Sequence, residues 1–192
     1  MDHITDAEDH LMNRSLAVAL TLALTGGALP AQTNAISADL KRDYQSIRGY
    51  FLRAAEEMPD SQYTFKPSPD VRTFAQQMAH VADDQYNLCS PARNEVRQAA
   101  YTDIENRLST KTDLLAALKQ AFAYCDAAYD ALSDASGAQM VTFGKGQRSR
   151  FGMLNWNLWH TWEHYGNVVV YLRMKGFVPP TSQRTAMTMP MD

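Results

Sequence analysis

The sequence predicts an all-α protein that folds as a four-helix bundle. Its 192 residues are enough for one domain with its own apolar core. After residue 35, apolar side chains recur at spacings of three and four, which is typical of amphipathic helices, and no stretch sustains the alternation of a strand. Residues 149–175 are apolar on most sides, as expected of a helix buried among several neighbours. We assign the bundle to residues 36–180.

The first two helices have recognisable start and stop signals. The first helix is expected to begin near Ser37 and to end at Pro59. The second follows Thr73, which forms a capping-box pattern with Gln76. Pro91 is expected to stop it, because proline cannot continue a helix interior.

A long link, residues 90–109, separates the second helix from the third, and a short helical turn is expected near its end. Thr110 is the predicted cap of the third helix, and Gly137 lies just past the end of that helix. The basic, glycine-containing segment 144–148 is interpreted as a plain connector. It lacks the residue order of a phosphate-binding loop, and no strand is predicted before it.

The fourth helix is predicted from about Ser149 to Lys175, with Gly176 as its C-terminal cap. Its three tryptophans suggest a face for a homodimer. Residues 181–192 are predicted to be a flexible tail.

The first 35 residues are predicted to be a leader. From Met12 they show a positive start, a short apolar run over 15–24 and a small-residue end, which together are typical of a secretory signal. Cleavage after Ala31 or after Ala35 fits the pattern. The run is too short for a stable membrane anchor. The alternative is a short N-terminal helix of a cytoplasmic protein, because the residues before Met12 are acidic; we expect export to the periplasm or the medium.

Net charge and cysteine content limit the classes of partner and of metal site. The net charge of −3 provides no general attraction for nucleic acid, so a nucleic-acid partner is not expected. Two cysteines, Cys89 and Cys125, are too few for a disulfide framework or a cysteine-rich zinc module. In an oxidising compartment they could form one disulfide, and the alternative is two buried free thiols.

Histidine placement suggests a metal site. Of five histidines, His3 and His10 fall in the predicted leader. His160 and His164 are four residues apart on the fourth helix, so their Cβ atoms lie about 5–6 Å apart and both imidazoles can reach one ion. His80 on the second helix would be a third ligand if the two helices face each other. The alternative is that these histidines only form hydrogen bonds between helices.

Two segments resemble conserved motifs of the DinB-like family. Residues 74–83 resemble its second-helix motif, and residues 160–167 resemble its last-helix HxxxHxGQ motif, with Asn167 where the family often has glutamine. The likeness extends over roughly residues 37–180. It implies an up-down-down-up bundle and a divalent metal ion, zinc or nickel, held by three histidines: His80, His160 and His164.

The resemblance implies several activities. We expect a metal-dependent hydrolase that acts on a small molecule. The alternatives are a non-catalytic metal or small-ligand binding protein in stress response, and a thiol-dependent S-transferase, which export would separate from the cytosolic thiol pool.

Three further residues are candidates to support the metal ligands. Asp84 lies four residues after His80 and could orient a ligand or accept a proton. Glu163 completes an H-x-x-E-H pattern that some proteases share, but little chain follows it to supply another ligand. Both acids are more typical of solvated helix faces. Asn167 is the third candidate.

Overall fold

The computed structural model describes residues 34–183 and has four long helices. One short helix lies in the link before the third long helix, and a second short helix and two strands lie between the third and the fourth. Residues 1–33 of the predicted leader and 184–192 of the predicted tail lie outside the described residues. In chain order the elements are α1 Ala35–Glu57, α2 Phe74–Ala92, α3 Ile104–Arg107, α4 Lys111–Asp130, α5 Asp134–Gly137, β1 Met140–Phe143, β2 Gly146–Ser149 and α6 Arg150–Met174.

Helices α1 and α4 run antiparallel. Near the start of α1, the backbone N–H of Ser37 donates to the carboxylate of Asp134, just beyond the end of α4. At the opposite end, the Lys111 ammonium donates to the carbonyl of Met58 at 2.7 Å. These contacts place the first residues of one helix beside the last residues of the other.

Helices α2 and α6 also run antiparallel. The Arg150 guanidinium donates to the carbonyl of Ala92 at 2.7 Å, and the Tyr171 hydroxyl donates to the carbonyl of Arg72. Cys89 near the end of α2 is bonded to Cys125 near the end of α4, so these two helices run parallel and α2 runs opposite to α1. The predicted all-α bundle and its up-down-down-up order are therefore confirmed.

Local signals set the helix starts. Thr73 and Gln76 form the predicted capping box, with hydrogen bonds of 3.2 Å and 2.9 Å in the two directions. Thr110 caps α4 and Ser149 caps α6 through the same kind of side-chain acceptor. Pro91 does not end α2 directly, because the helix continues to Ala92. A proline in the last turn removes only one backbone hydrogen bond, which that position tolerates.

The segment predicted to be a plain connector forms a β-hairpin instead. Strands β1 and β2 pair antiparallel, with Met140 opposite Ser149 and Phe143 opposite Gly146. Gly144 opens the two-residue turn at a φ of 59°, a conformation that glycine adopts without strain. The prediction missed the hairpin because each strand has four mostly exposed residues, too few to show an alternating pattern.

The core is rich in aromatic side chains, but the tryptophans of α6 are not all part of it. Tyr44 of α1 stacks on Tyr129 of α4, with ring centroids 3.8 Å apart, and both side chains are buried. Trp159 and Trp162 are 48% and 38% exposed, so the prediction that α6 is buried on most sides is wrong for that face. Helices α1 and α2 cover other faces of α6 and leave these indoles at the surface.

A disulfide between Cys89 and Cys125 joins α2 to α4, with the two Cα atoms 5.4 Å apart. Both residues are fully buried. Since the sequence has only these two cysteines, neither is left as a free thiol. No helix among residues 34–183 combines the length and apolar character that crossing a membrane requires.

Candidate metal centre

The interface between α2 and α6 brings the three predicted histidines together. The ring of His80 on α2 lies 4.5 Å from that of His164 and 5.7 Å from that of His160, measured between centroids. The two α6 rings are 4.5 Å apart. Helix α2 therefore faces α6 with its histidine at the level where a shared ion could bind.

Buried polar side chains fix the register of α2 against α6. Gln85 donates to the Thr161 hydroxyl at 3.1 Å and accepts from the Asn157 amide at 3.0 Å. The Tyr129 hydroxyl, which belongs to α4, reaches the Asn157 side-chain oxygen at 2.9 Å. Because buried polar groups are costly when unpaired, a slip of either helix would be penalised. This layer lies beside the histidines and holds them opposite one another.

The potential ligand atoms are close enough to surround one ion. The Nε2 atoms of His160 and His164 are 3.2 Å apart, and His80 Nε2 lies 2.9 Å from Asp84 Oδ2. One donor atom from each of the four residues lies within 4.8 Å of every other. In a tetrahedral site with bonds of about 2.0–2.1 Å, neighbouring donors are roughly 3.3 Å apart. The cluster therefore suits a single cation.

Asp84 lies in this cluster and is not a solvated acid of the helix surface. Its side chain is 17% exposed, and its Oδ2 atom is buried without a hydrogen-bond donor among residues 34–183. The position follows from the helical repeat, which places a residue on the same face as the one four positions earlier, here His80.

The electrostatics favour the protonation states that bind metal. Burial lowers the pKa of His164 to about 4, and the neighbouring His160 acts in the same direction. Burial also lowers the pKa of His160. For Asp84, burial alone would raise the pKa, but contact with His80 and the charges of the other two imidazoles bring it below its ordinary value. At neutral pH these groups are unprotonated, as ligands must be.

Gln77 orients one of the histidines, and the sequence interpretation did not identify it. Its side-chain oxygen lies 3.0 Å from His164 Nδ1, and the residue is 5% exposed. An amide oxygen can only accept, so Nδ1 carries the proton and the Nε2 lone pair points into the cluster. Its position three residues before His80, which puts both side chains on one helix face, is the sequence feature that could have identified Gln77.

Glu105 approaches the cluster from the link between α2 and α4. Its Oε2 atom is 3.7 Å from His80 Nδ1, and its Oε1 atom accepts from Arg72 Nε at 3.0 Å. Asp83 holds the link in place by pairing with Arg97 and by accepting from the backbone N–H of Glu105 at 3.3 Å. No local pattern in the sequence marks Glu105, because its placement depends on the path of the whole link.

The remaining two supporting candidates lie outside the cluster. Glu163 is exposed, and the group of potential ligands found among the described residues does not include it. The protease interpretation, which needs Glu163 as base, has no geometric support. Asn167 is also exposed and lines a neighbouring cleft.

This cleft, of about 790 Å³, adjoins the cluster. Gln77 and Glu105 belong to its wall and also approach His164 and His80, so these two side chains connect the cleft to the candidate ligands, which do not themselves line it. The rest of the wall combines charged and apolar groups, including Lys66, Arg72, Val170 and Tyr171. The cleft is large enough for a small molecule.

Replacing Gln77 with leucine should weaken metal binding by roughly 10–100-fold, because His164 Nδ1 would lose the acceptor that fixes its ring and its tautomer. Competition with a coloured chelator measures this affinity. Gln120→Leu, an equal change at an exposed position of α4, is the matched control and should bind metal like the unaltered protein. Equal affinities of the Gln77 and Gln120 variants would contradict the orienting role.

A family model described as the DinB superfamily matches residues 43–168. Among solved structures, a DinB-like protein from Bacillus cereus ATCC 10987 is similar over 73% of this chain and 93% of its own, with 11% identity and a TM-score of 0.62. A DinB-like protein from Bacillus subtilis is similar over 77% of this chain and 99% of its own, with 19% identity and a TM-score of 0.60. A mycothiol-dependent maleylpyruvate isomerase is similar over 71% of this chain and 66% of its own, with 16% identity and a TM-score of 0.56. No curated protein matches the chain.

Proposed function

This chain belongs to the DinB superfamily, and we propose that it is a metal-dependent hydrolase of a small molecule. The observation that carries the proposal is the convergence of His80, His160 and His164 beside an open cleft. Three neutral imidazoles suit zinc or nickel. A ligand set of this kind next to a cleft is typical of a catalytic site and not of a closed structural one.

The residues around the cluster have separate roles in such a site. A divalent ion bound there would polarise a carbonyl or phosphoryl oxygen and lower the pKa of water. Gln77 holds the ring of His164 in its ligating orientation, and the Gln85 layer holds α2 against α6. The cleft wall offers Lys66 and Arg72 as cationic groups that can attract a polar substrate.

The disulfide supports export and disfavours a reaction that consumes cellular thiols. Disulfides persist in oxidising compartments such as the periplasm, and the Cys89–Cys125 bond is built into the core of this protein. We therefore propose that the protein acts outside the cytoplasm, where low-molecular-weight thiols are scarce. Mass spectrometry of the mature protein checks this placement, and an intact N-terminus at Met1 would contradict it.

A thiol-dependent transferase or isomerase is the second candidate. One structural neighbour is a mycothiol-dependent maleylpyruvate isomerase, although that likeness extends only to the fold. A third candidate, a binding protein without catalysis, has the same metal ligands. The three candidates differ in their reactants: the hydrolase needs only substrate and water, the transferase or isomerase also needs a thiol, and the binding protein catalyses no reaction.

Turnover assays of metal-loaded protein separate these candidates. The purified chain is stripped, reloaded with zinc or nickel, and offered esters, phosphoesters and thiol conjugates with and without an added thiol. We expect hydrolysis that needs the ion and that His160→Ala abolishes. Turnover only with thiol would favour the transferase, and one bound ion per chain without any turnover would favour the binding protein.

A further inference from the structure

We propose that Asp84 is a fourth ligand of the ion, which makes the site a three-histidine, one-carboxylate centre. The inference deepens the proposed function and rests on it. It goes beyond the three histidines, because Asp84 changes how many positions of the ion remain open.

The first observation is the unpaired carboxylate oxygen. Asp84 Oδ2 is buried and accepts no hydrogen bond from residues 34–183, yet it lies 2.9 Å from His80 Nε2 and 3.6 Å from His160 Nδ1. A buried carboxylate oxygen without a donor is costly. A cation at the centre of the cluster would supply the missing partner.

The second observation is the orientation of the His80 ring. Its Nε2 faces Asp84 Oδ2 at 2.9 Å, whereas its Nδ1 lies 3.7 Å from Glu105 Oε2, outside hydrogen-bond distance. Metal ligands bind in their unprotonated forms. In those forms, His80 Nε2 and Asp84 Oδ2 are close enough to bind the same cation. The same reasoning applies to His164, since Gln77 occupies its Nδ1.

A fourth protein ligand restricts the metal. Zinc in a tetrahedral site with four protein ligands is closed and structural, whereas catalytic zinc keeps a position free. With Asp84 bound, open positions remain only on an ion that accepts five or six donors. Of the two metals that the resemblance implies, nickel fits this set better than zinc.

Cobalt(II) is the probe for the test, because its visible spectrum depends on the number and type of its ligands. The unaltered protein and the Asp84→Asn variant are each loaded with one equivalent of cobalt(II), and their visible spectra are recorded. The nickel affinity of each protein is measured separately by competition with a chelator. Asparagine keeps the shape of the side chain and removes its charge. We expect an altered cobalt spectrum and a nickel affinity at least tenfold weaker.

Two further variants make the result decisive. Glu163→Gln removes an equal charge at an exposed position near His160 and should leave the spectrum unchanged. Asp84→Cys should introduce a sulfur-to-cobalt charge-transfer band, a positive sign that does not depend on Asp84→Asn folding well.

The outcomes separate this inference from the proposed function. An unchanged spectrum in Asp84→Asn with cobalt still bound, together with no new band in Asp84→Cys, would overturn the fourth-ligand role and leave the three-histidine site intact. Failure of the unaltered chain to take up cobalt would overturn both.

Discussion

Replacing His164 with alanine is expected to weaken binding of zinc or nickel by more than about 100-fold. His164 is the most buried of the three imidazoles, at 7% exposure, and its Nε2 lies 3.2 Å from that of His160. Loss of a residue that orients a ligand typically lowers metal affinity by about 10–100-fold, and loss of the ligand itself should lower it further. The metal content of dialysed protein, measured by elemental analysis, checks the prediction.

The His164 variant needs a control for folding, because it also leaves the buried Gln77 amide without its partner. That loss should destabilise the metal-free protein by about 1–3 kcal/mol, which thermal unfolding monitored by circular dichroism would detect. Asn167→Ala, an exposed change one turn further along α6, should keep its metal. A folded His164→Ala protein that retains one ion per chain would show that the site is not the one described.

Removing the disulfide is expected to produce the largest loss of stability. Cys89 and Cys125 are 36 residues apart, and closing a loop of that length stabilises the folded state by about 3–4 kcal/mol through the unfolded chain. The Cys89→Ala, Cys125→Ala double variant should therefore unfold roughly 10 °C below the unaltered protein. Differential scanning calorimetry of both proteins gives the comparison.

Reductant provides an independent check on the disulfide. It should lower the unfolding temperature of the unaltered protein once the buried bond is accessible, and it should have no effect on the double variant. Equal unfolding temperatures of the two proteins without reductant would contradict the stabilising role. In the double variant the folded protein should bind metal with nearly unchanged affinity, although its free energy of unfolding is lower. The ligands lie on α2 and α6, whereas the disulfide joins α2 to α4.

Helix starts were predictable because local groups decide them, whereas two predicted helix ends were wrong: the second helix continues through Pro91, and the third ends at Asp130 and not just before Gly137. The caps at Thr73, Thr110 and Ser149 each use a side chain that accepts from the backbone three residues ahead. The hairpin at residues 140–149 was not predictable from periodicity, since its strands are short and mostly exposed. Its turn glycine, Gly144, was the signal that could have indicated it.

For the candidate site, too, one part was predictable from the sequence and another depended on how the helices pack. The four-residue spacing of His160 and His164 places both imidazoles on one face of any helix, so their pairing follows from the sequence. Their distance from His80 depends on the register of α2 against α6, which Gln85 and Asn157 fix by contacts across the bundle. Glu105 reaches the cluster through a link whose path no local pattern specifies.

The sequence by itself determined that the chain forms four long helices, which residues cap the starts of three of them and which side chains can ligate a metal, because these properties depend on neighbours within a few positions. Only the tertiary structure decided that Asp84 turns a buried oxygen toward the histidines, that Gln77 supports His164, and that two tryptophans of α6 stay exposed. Each of these depends on which faces of separate helices meet, and that is settled by packing over the whole bundle.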